Sequence, residues 1–381
     1  MRSKRNVELL YAVALLQGMV FYGPIATLYR QAAGLSVFSI TVIESISLAL
    51  CLLLELPWGV VADKIGYRNT MVFCCLLYFL SKIVFWRADG FAGFLLERLM
   101  LSVVVAGMSG VETGMLYLSC KEGRSQTVFG VYNNLQTAGL LIAALIYSLF
   151  VKGNYRLAGL LTVFSYALAA ALSFGLSEVG SGGGPRRAGR KELFSLVKQT
   201  VSNRRLMLFL LGVALLNETH QTVTVFLNQL QYVRCGLSDG AIGLIYIGVT
   251  VAGLVGGFSE KLTRALAVRP FVAVLYGTAA AACVTLAVCR NAWLSIGAVA
   301  LLRVSFSLFQ PLQTELQNRA VQTQNRATEL SVNALFIDSV GVGTNLVYGK
   351  LADVNLPAAF LTGAALCAAG YVCVRALRPG Q

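Results

Sequence analysis

The residues best suited to chemistry in this chain are ionisable side chains set within long apolar runs. They are the carboxylates of Glu112, Glu218 and Asp338, the imidazole of His220 and the guanidinium of Arg303. Carboxylates and imidazole can take up and release protons, and a guanidinium can bind an anionic group. Such groups are rare in membrane-spanning helices and usually face a cavity or a partner. This set therefore predicts a site for a substrate or a coupled proton.

Helical geometry limits which of these groups can meet. Arg98 precedes Glu112 by fourteen residues, so the two lie about 40° apart on one helix face but about 21 Å apart along its axis. They can line one cavity wall but cannot pair. Glu218 and His220 point about 200° away from each other, which disfavours a relay between them. Arg303 is the cation that we expect to meet an anionic group, either a substrate or one of the acids.

Neutral polar residues accompany these charges inside the apolar runs. They are Gln17, Tyr22, Asn133, Asn134 and Gln310. Aromatic rings beside amides suit an amphipathic organic solute, although such residues also occur at helix contacts. Structural roles stay open in the same way for Glu112, as a carboxylate near the inner surface, and for His220, as a hydrogen-bonded imidazole.

The elements that position these residues are predicted to be membrane-spanning helices. Of 381 residues, 57% are hydrophobic and only 13% are charged, and the mean hydropathy is +0.71, values that exclude a soluble protein. The chain contains about twelve runs of the roughly 20 apolar residues that cross a bilayer as a helix. They lie near residues 7–29, 38–61, 70–87, 91–115, 127–150, 156–177, 205–230, 240–259, 268–288, 292–317, 328–349 and 356–377. The predicted fold class is an all-α integral membrane protein with twelve transmembrane helices.

One polar stretch divides these runs into two halves. Residues 178–203 contain a Gly- and Ser-rich segment followed by several Lys and Arg, a composition typical of a flexible linker in water. The sequence therefore predicts a six-helix bundle over residues 1–177, a cytoplasmic linker over 178–203 and a second six-helix bundle over 204–381.

The net charge of +14 is explained by the way basic residues are distributed between the two sides of the membrane. If the N-terminus is cytoplasmic, 21 of the 31 Lys and Arg fall on the cytoplasmic side, seven on the other side and three inside helices. Basic residues accumulate on the cytoplasmic side of membrane proteins. We therefore expect a multi-pass protein of the cytoplasmic (inner) membrane with both termini in the cytoplasm, and no nucleic-acid partner.

A motif follows the second apolar run. Its residues are Gly59, Asp63, Lys64, Gly66 and Arg68. The segment resembles the signature loop G-x-x-x-D-(R/K)-x-G-x-(R/K)-(R/K) of the major facilitator superfamily, with Asn69 in place of the last basic residue. The residues before it resemble bacterial members, either drug exporters or uncharacterised permeases. Weaker repeats of the pattern begin at Gly256 and Gly349, as expected for a duplicated transporter.

The resemblance implies two six-helix bundles that move a small molecule by alternating access, with the loop latching the bundles on the cytoplasmic side. The chain has no nucleotide-binding loop of the G-x-x-x-x-G-K-[ST] kind, so an ion or solute gradient would supply the energy. The membrane carboxylates make protons the first candidate. Drug or metabolite efflux is one interpretation, although the Pro-containing helix-five motif of drug antiporters is missing.

Several alternatives remain open. Uptake of a sugar or organic acid by a symporter of the same fold is the closest of them. A polytopic membrane enzyme is a remote one, because one His and nine scattered Cys offer no metal or cofactor site. A membrane sensor on the same scaffold would predict that charges are lost from the cavity. We expect a monomer in the lipid bilayer without a cofactor.

Overall fold

Twelve long helices build the chain in the computed structural model, which describes residues 2–120, 125–179, 202–320 and 326–375. Each is long and apolar enough to cross a membrane, which confirms the predicted fold class. We number them α1 to α12. The uninterrupted helices are α2 (Val37–Ile65), α3 (Tyr67–Arg87), α4 (Gly90–Ser119), α6 (Tyr155–Ser173), α9 (Val268–Val288), α10 (Ala292–Ala320), α11 (Arg326–Val354) and α12 (Leu356–Val374).

The other four helices change their winding along their length. Helix α1 consists of Arg2–Gly18, a 3₁₀ turn at Gly23–Ile25 and Ala26–Ala32. Helix α5 (Ser125–Ile146) ends in a π-helical turn, Tyr147–Val151. Helix α7 contains a π-helical segment, Thr222–Leu227, between Arg204–Gln221 and Asn228–Arg234. Helix α8 contains a 3₁₀ segment, Gly253–Phe258, between Asp239–Ala252 and Ser259–Leu266. Such π-helical segments are frequent at functional sites.

The chain forms two compact units. The first contains Met1–Leu35, Ile46–Gly184 and Asp239–Ile247, and the second contains the rest. Helix α2 therefore begins in the second unit and continues in the first, while α8 begins in the first unit and continues in the second. The predicted linker lies mostly outside the described residues, so the domain boundaries at 177 and 204 stay a prediction.

Two glycines bring α1 and α5 into backbone contact in the first unit. A Cβ on Gly139 would lie 2.1 Å from the carbonyl oxygen of Leu15, and a Cβ on Gly18 would lie 2.2 Å from that of Gln136. Small residues permit this approach in membrane bundles, where packing rather than hydrophobic burial joins helices. The pair fixes the place where α1 crosses α5.

We expect Gly139→Ala to destabilise the first unit by about 1–3 kcal/mol, because the added methyl meets backbone that cannot rotate away. Gly130→Ala is the matched control in the same helix, since a Cβ there meets nothing within 4 Å. Thermal unfolding in detergent, followed with a thiol-reactive dye, measures both variants. Equal melting temperatures for the two would show that the crossing is not tight.

Candidate functional site

The imidazole of His220 lies between two side chains of α10 in the second unit. Its ring stacks on Phe306 with centroids 3.8 Å apart and an interplanar angle of 5°. Its Nε2 lies 3.2 Å from Nη1 of Arg303 and 3.3 Å from the hydroxyl of Thr224. The ring is buried. These contacts hold His220 in one orientation.

The contact with Arg303 determines the protonation state of this imidazole. A guanidinium carries only hydrogen-bond donors, so Nε2 of His220 must accept. A hydrogen bond between the two groups thus requires the neutral imidazole with its proton on Nδ1. The sequence predicted Arg303 as the cation that meets an anionic group, and that role stays a prediction. Its contact with His220 was not foreseen.

Helix α8 supports the guanidinium from another direction. A Cβ on Gly253 would lie 2.5 Å from Nε of Arg303. Gly253 begins the 3₁₀ segment of α8, where the backbone departs from α-helical geometry. The α8 backbone at Gly253 and the imidazole of His220 thus both border the guanidinium of Arg303.

The carboxylate of Glu218 is packed against α11. A Cβ on Gly341 would lie 2.8 Å from both carboxylate oxygens, so a larger residue at that position would displace the carboxylate. The side chain is 9% exposed. Within the described residues, no Lys, Arg or His nitrogen lies within 4.0 Å of this carboxylate. Glu218 is thus a buried acid without an ion-pair partner in that part of the chain.

Asp338, Gly341 and Asn345 share one face of α11, since they are spaced by three and four residues. Asp338 is close enough to interact electrostatically with Glu218, and it is exposed. The buried Asn345 accepts a hydrogen bond from Thr222 at 3.4 Å. Two acids of the predicted set, Glu218 and Asp338, therefore lie together. Glu218 and His220 contact different helices.

The predicted residues of the first unit are more dispersed. Gln17 is buried; its side-chain Nε2 lies 3.5 Å from Sγ of Cys75, and its backbone carbonyl accepts from the hydroxyl of Tyr166 at 2.6 Å. Glu112 is close enough to Cys75 to interact electrostatically with its thiol. Arg98 lies elsewhere on α4, in a different environment from Glu112.

Three further predicted residues are exposed. They are Asn133, Asn134 and Gln310. The structure does not bring them together with the cluster around His220 and Glu218 through any described hydrogen bond. Their role as substrate contacts stays a prediction.

An ion cluster surrounds Glu97, which the sequence does not predict. Its carboxylate is 1% exposed and lies 3.8 Å from Nη2 of Arg30 and 3.6 Å from Nζ of Lys82. Nε of Arg98 lies 3.9 Å from the same carboxylate. Lys82 also donates to the hydroxyl of Tyr22 at 3.0 Å. The cluster joins α1, α3 and α4 inside the first unit, and it includes the predicted Tyr22 and Arg98.

Aromatic rings surround both buried cations. Nζ of Lys82 lies 4.9 Å from the ring centroid of Tyr78 and 5.2 Å from that of Tyr166. The guanidinium of Arg30 lies 5.7 Å from the ring centroid of Phe85. Cation–π contacts of this kind are strongest when the cation is withdrawn from water. The signal that could have revealed the cluster was Lys82, a cation inside an apolar run that requires a nearby acid.

The motif loop between α2 and α3 turns at Gly66, whose φ is +86°. The Glu178 carboxylate accepts from the backbone N–H groups of Tyr67 at 3.0 Å and Arg68 at 3.2 Å, and so caps the start of α3. Nε of Arg68 donates to the carbonyl of Leu176 at 2.7 Å. Glu178, the first residue of the predicted linker, thus belongs to the first unit.

The remaining motif residues are less informative. Lys64 is exposed. Gly59 and Asp63 lie within α2, but the surroundings of their side chains are outside the described part of the chain. Their predicted role in a latch between bundles stays a prediction.

Solved transporter structures share this architecture. A mutant of the nucleoside transporter NupG matches with a TM-score of 0.85 at 13% identity, over 98% of this chain and 100% of the other. A bacterial homologue of the human lysosomal transporter Spinster matches with a TM-score of 0.77 at 14% identity, over 98% and 97%. A POT family transporter in complex with 5-aminolevulinic acid matches with a TM-score of 0.73 at 14% identity, over 97% and 95%. At these identities the likeness concerns the fold.

The family is shown by the sequence itself. No curated protein matches the chain, but the family model described as Major Facilitator Superfamily matches residues 9–344. The family and its structural neighbours identify a multi-pass membrane transporter and not a membrane enzyme. This confirms the resemblance carried by Gly59, Asp63, Lys64, Gly66 and Arg68: the chain belongs to the Major Facilitator Superfamily.

Proposed function

We propose that this transporter couples the movement of a small polar organic solute to protons, with Glu218 as the proton-binding group. The observation that carries the proposal is the packing of the buried Glu218 carboxylate against Gly341, without a cation within 4.0 Å among the described residues. Ionisable residues within membrane helices commonly belong to proton relays or substrate pathways. A protonated Glu218 fits this place without an ion-pair partner.

Asp338 helps Glu218 keep its proton. Its carboxylate interacts electrostatically with Glu218, and two like charges at close range repel when both are ionised. A change in the surroundings of the exposed Asp338 would therefore alter how firmly Glu218 holds its proton. A substrate cation at this position would favour release of the proton.

The cluster around His220 supports a polar solute. Arg303, Thr224, Asn345 and the neutral imidazole offer directed donors and acceptors, and Phe306 offers an aromatic face. A hydrophobic drug adds no hydrogen bond to these groups, whereas a polar solute does, so the cluster favours a polar solute. A nucleoside is the first candidate, because the neighbour NupG is a nucleoside transporter and a nucleoside combines an aromatic base with hydroxyl groups. Efflux of hydrophobic drugs is the runner-up.

The excess of basic residues on alternate loops supports a location in the cytoplasmic membrane with both termini in the cytoplasm. We further propose that the transporter works as a monomer, since each chain carries both halves of the predicted duplication.

Proton movement in liposomes tests this function. Purified protein is reconstituted with a pH-sensitive dye inside, and uridine, a hexose, a dicarboxylate or ethidium is added outside at zero membrane potential. We expect uridine to change the internal pH and a protonophore to abolish the change. Internal acidification indicates symport, and alkalinisation indicates exchange of solute for proton.

Other results would overturn parts of the proposal. A response to ethidium alone would assign the chain to drug export. Uptake of radiolabelled uridine without any pH change would contradict proton coupling. Protein-free liposomes are the control for passive leakage.

A further inference from the structure

The side chain of Tyr348 joins α11 to α7 beside the Glu218 carboxylate. Tyr348 is 0% exposed, and its hydroxyl oxygen lies 2.9 Å from Oγ1 of Thr219. The hydroxyl of Thr219 donates its single proton to the carbonyl of Leu215 at 2.8 Å, so Tyr348 is the donor in this contact. The hydrogen bond therefore runs from α11 to the residue that directly follows Glu218 in α7.

The hydroxyl of Tyr348 is enclosed by two further helices. A Cβ on Gly363 of α12 would lie 3.1 Å from this hydroxyl oxygen and 3.2 Å from Cγ2 of Thr219. The same Cβ would lie 3.1 Å from Sγ of Cys283 in α9. A buried hydroxyl that loses its partner costs free energy, because no water replaces the lost hydrogen bond. This packing therefore favours the bond between Tyr348 and Thr219.

A second hydrogen bond joins the same faces of the two helices. On α11, Tyr348 follows Gly341 and Asn345 at spacings of four and three residues, so the three share one face. The hydroxyl of Thr222 donates to Oδ1 of Asn345 at 3.4 Å. Thr219 and Thr222 are three residues apart and share one face of α7. The two bonds therefore fix the rotation of α7 about its axis relative to α11.

The position of the Glu218 carboxylate depends on this rotation. A Cβ on Gly341 would lie 2.8 Å from both of its oxygens, and the side chain is 9% exposed. Tyr348 is close enough to Glu218 to interact electrostatically with it. A turn of α7 about its axis would move the carboxylate away from Gly341 and the hydroxyl of Thr219 away from Tyr348. A bond that resists this turn therefore keeps Glu218 buried.

We propose that Tyr348 is a positioning residue for proton coupling, because its hydrogen bond to Thr219 holds the Glu218 carboxylate against α11 and away from water. This role rests on the proposed function of Glu218 as the proton-binding group. Without the bond, α7 can turn, and Glu218 can exchange its proton with water while no solute moves. Loss of the Tyr348 hydroxyl therefore uncouples protons from solute and leaves solute exchange intact.

Accumulation of solute in proteoliposomes under a pH difference tests this role. Tyr348→Phe removes the hydroxyl and keeps the ring. With one proton per solute, a pH difference of one unit supports about tenfold accumulation in the wild type. We expect this ratio to fall about fivefold in Tyr348→Phe, a factor that corresponds to the net strength of one hydrogen bond. The radiolabelled solute is the one, among uridine, a hexose, a dicarboxylate and ethidium, that gives the largest wild-type pH response.

Two further readouts separate uncoupling from a general loss of activity. Exchange of labelled for unlabelled solute at equal pH should continue in Tyr348→Phe at about the wild-type rate, because it needs no net proton movement. Without solute, liposomes that contain Tyr348→Phe should lose an imposed pH difference faster than those with wild-type protein. A purely structural defect would slow exchange and would not speed the loss of the pH difference.

Tyr276→Phe is the matched control. Tyr276 is 1% exposed, and its hydroxyl donates to the carbonyl of Gly212 in α7 at 2.9 Å. The variant removes an equally buried hydrogen bond from the same helix, but more than one turn away from Glu218. We expect Tyr276→Phe to keep the wild-type accumulation ratio. An equal fall of the ratio in both variants would show that any loosening of α7 uncouples transport, and would overturn the specific role of Tyr348.

Variants of Thr219 test the same bond from its other side. Thr219→Val removes the acceptor and should lower the ratio as Tyr348→Phe does, whereas Thr219→Ser keeps a hydroxyl and should retain the coupling. The double variant of Tyr348→Phe with Thr219→Val should fall no further than either single variant, because both changes remove one bond. Falls that multiply in the double variant would overturn the proposed partnership of these two residues.

The wild type separates this role from the proposed function. A wild-type protein that moves solute without any pH change contradicts proton coupling, and the role of Tyr348 falls with it. A wild type that couples solute to protons, together with an unchanged ratio in Tyr348→Phe and Thr219→Val, overturns the role of Tyr348 alone and leaves Glu218 as the proton-binding group.

Discussion

We expect replacement of Glu97 by alanine to lower the free energy of unfolding by about 3–5 kcal/mol, the usual result of breaking a buried ion pair. Glu97 is 1% exposed, and Arg30 and Lys82, which share its carboxylate, are 3% and 4% exposed. Without Glu97 both cations lose the carboxylate that offsets their removal from water. Aromatic rings alone compensate a smaller part of that cost.

Thermal unfolding with a thiol-reactive dye measures the effect, because Cys74, Cys75, Cys283 and Cys367 are buried and react only on unfolding. Asp89→Ala is the control. Its ion pair with Arg156 is exposed, so its removal should cost between about 0 and 1 kcal/mol. Unfolding by titration with a denaturing detergent then gives the difference in the free energy of unfolding between each variant and the wild type.

Two further variants separate charge from volume. Glu97→Gln keeps the shape and removes the charge, and it should lose most of the stability that Glu97→Ala loses. Glu97→Asp keeps the charge and should recover part of it. If Glu97→Ala unfolds at the same temperature as Asp89→Ala, the cluster does not stabilise the first unit.

The number of helices could be predicted because the thickness of the bilayer core sets the length of each helix. A bilayer core demands about 20 apolar residues per helix, and polar loops interrupt the sequence at that interval. The interruptions inside helices could not be predicted in the same way. The π-helical segment Thr222–Leu227 depends on how α7 packs, and the 3₁₀ segment Gly253–Phe258 accommodates Arg303 from another helix.

The membership of the candidate site was partly predictable. Glu218, His220, Arg303 and Asp338 stand out as ionisable groups within apolar runs, and the structure places all four in the second unit. Their partners could not be read from the sequence, because contacts between helices depend on the rotation of each helix about its axis. The pairing of His220 with Arg303 is one example. The packing of Glu218 on Gly341 is another, since glycine has no side chain whose type could indicate an acid as its neighbour.

Two acids were overlooked for opposite reasons. Glu97 lies next to Arg98 near the start of an apolar run, where an acid and a base in sequence suggest exposure. Glu178 lies at the edge of a polar stretch, where charged residues are expected and none indicates a specific contact. The first is buried in an ion cluster, and the second caps α3. In both cases the informative feature is a distant backbone or side chain that only the fold brings near.

The second large effect is expected at Glu218, where Glu218→Gln keeps the size of the side chain but cannot carry a proton. With one proton per solute, a pH difference of one unit supports about tenfold accumulation, since each pH unit is worth about 1.4 kcal/mol. We expect the ratio to fall to about one in Glu218→Gln. Exchange of labelled for unlabelled solute at equal pH should continue, because it needs no net proton movement.

Displacing the carboxylate should have a related effect. Gly341→Ala places a methyl 2.8 Å from both oxygens of Glu218 and should slow transport, whereas Gly343→Ala in the same helix meets nothing within 4 Å and should not. The shorter acid in the double variant Gly341→Ala with Glu218→Asp should restore part of the rate. Equal rates in the two alanine variants would show that the position of the carboxylate is unimportant.

Proton binding by Glu218 is tested by the internal pH of liposomes that contain wild-type protein or Glu218→Gln. The pH is recorded when the solute that gives the largest wild-type response is added. Zero membrane potential and matched protein content keep the two samples comparable. We expect a protonophore-sensitive pH change in the wild type and none in Glu218→Gln, with solute exchange preserved in both. A pH change of equal size in Glu218→Gln would contradict the assignment of the coupling proton to Glu218.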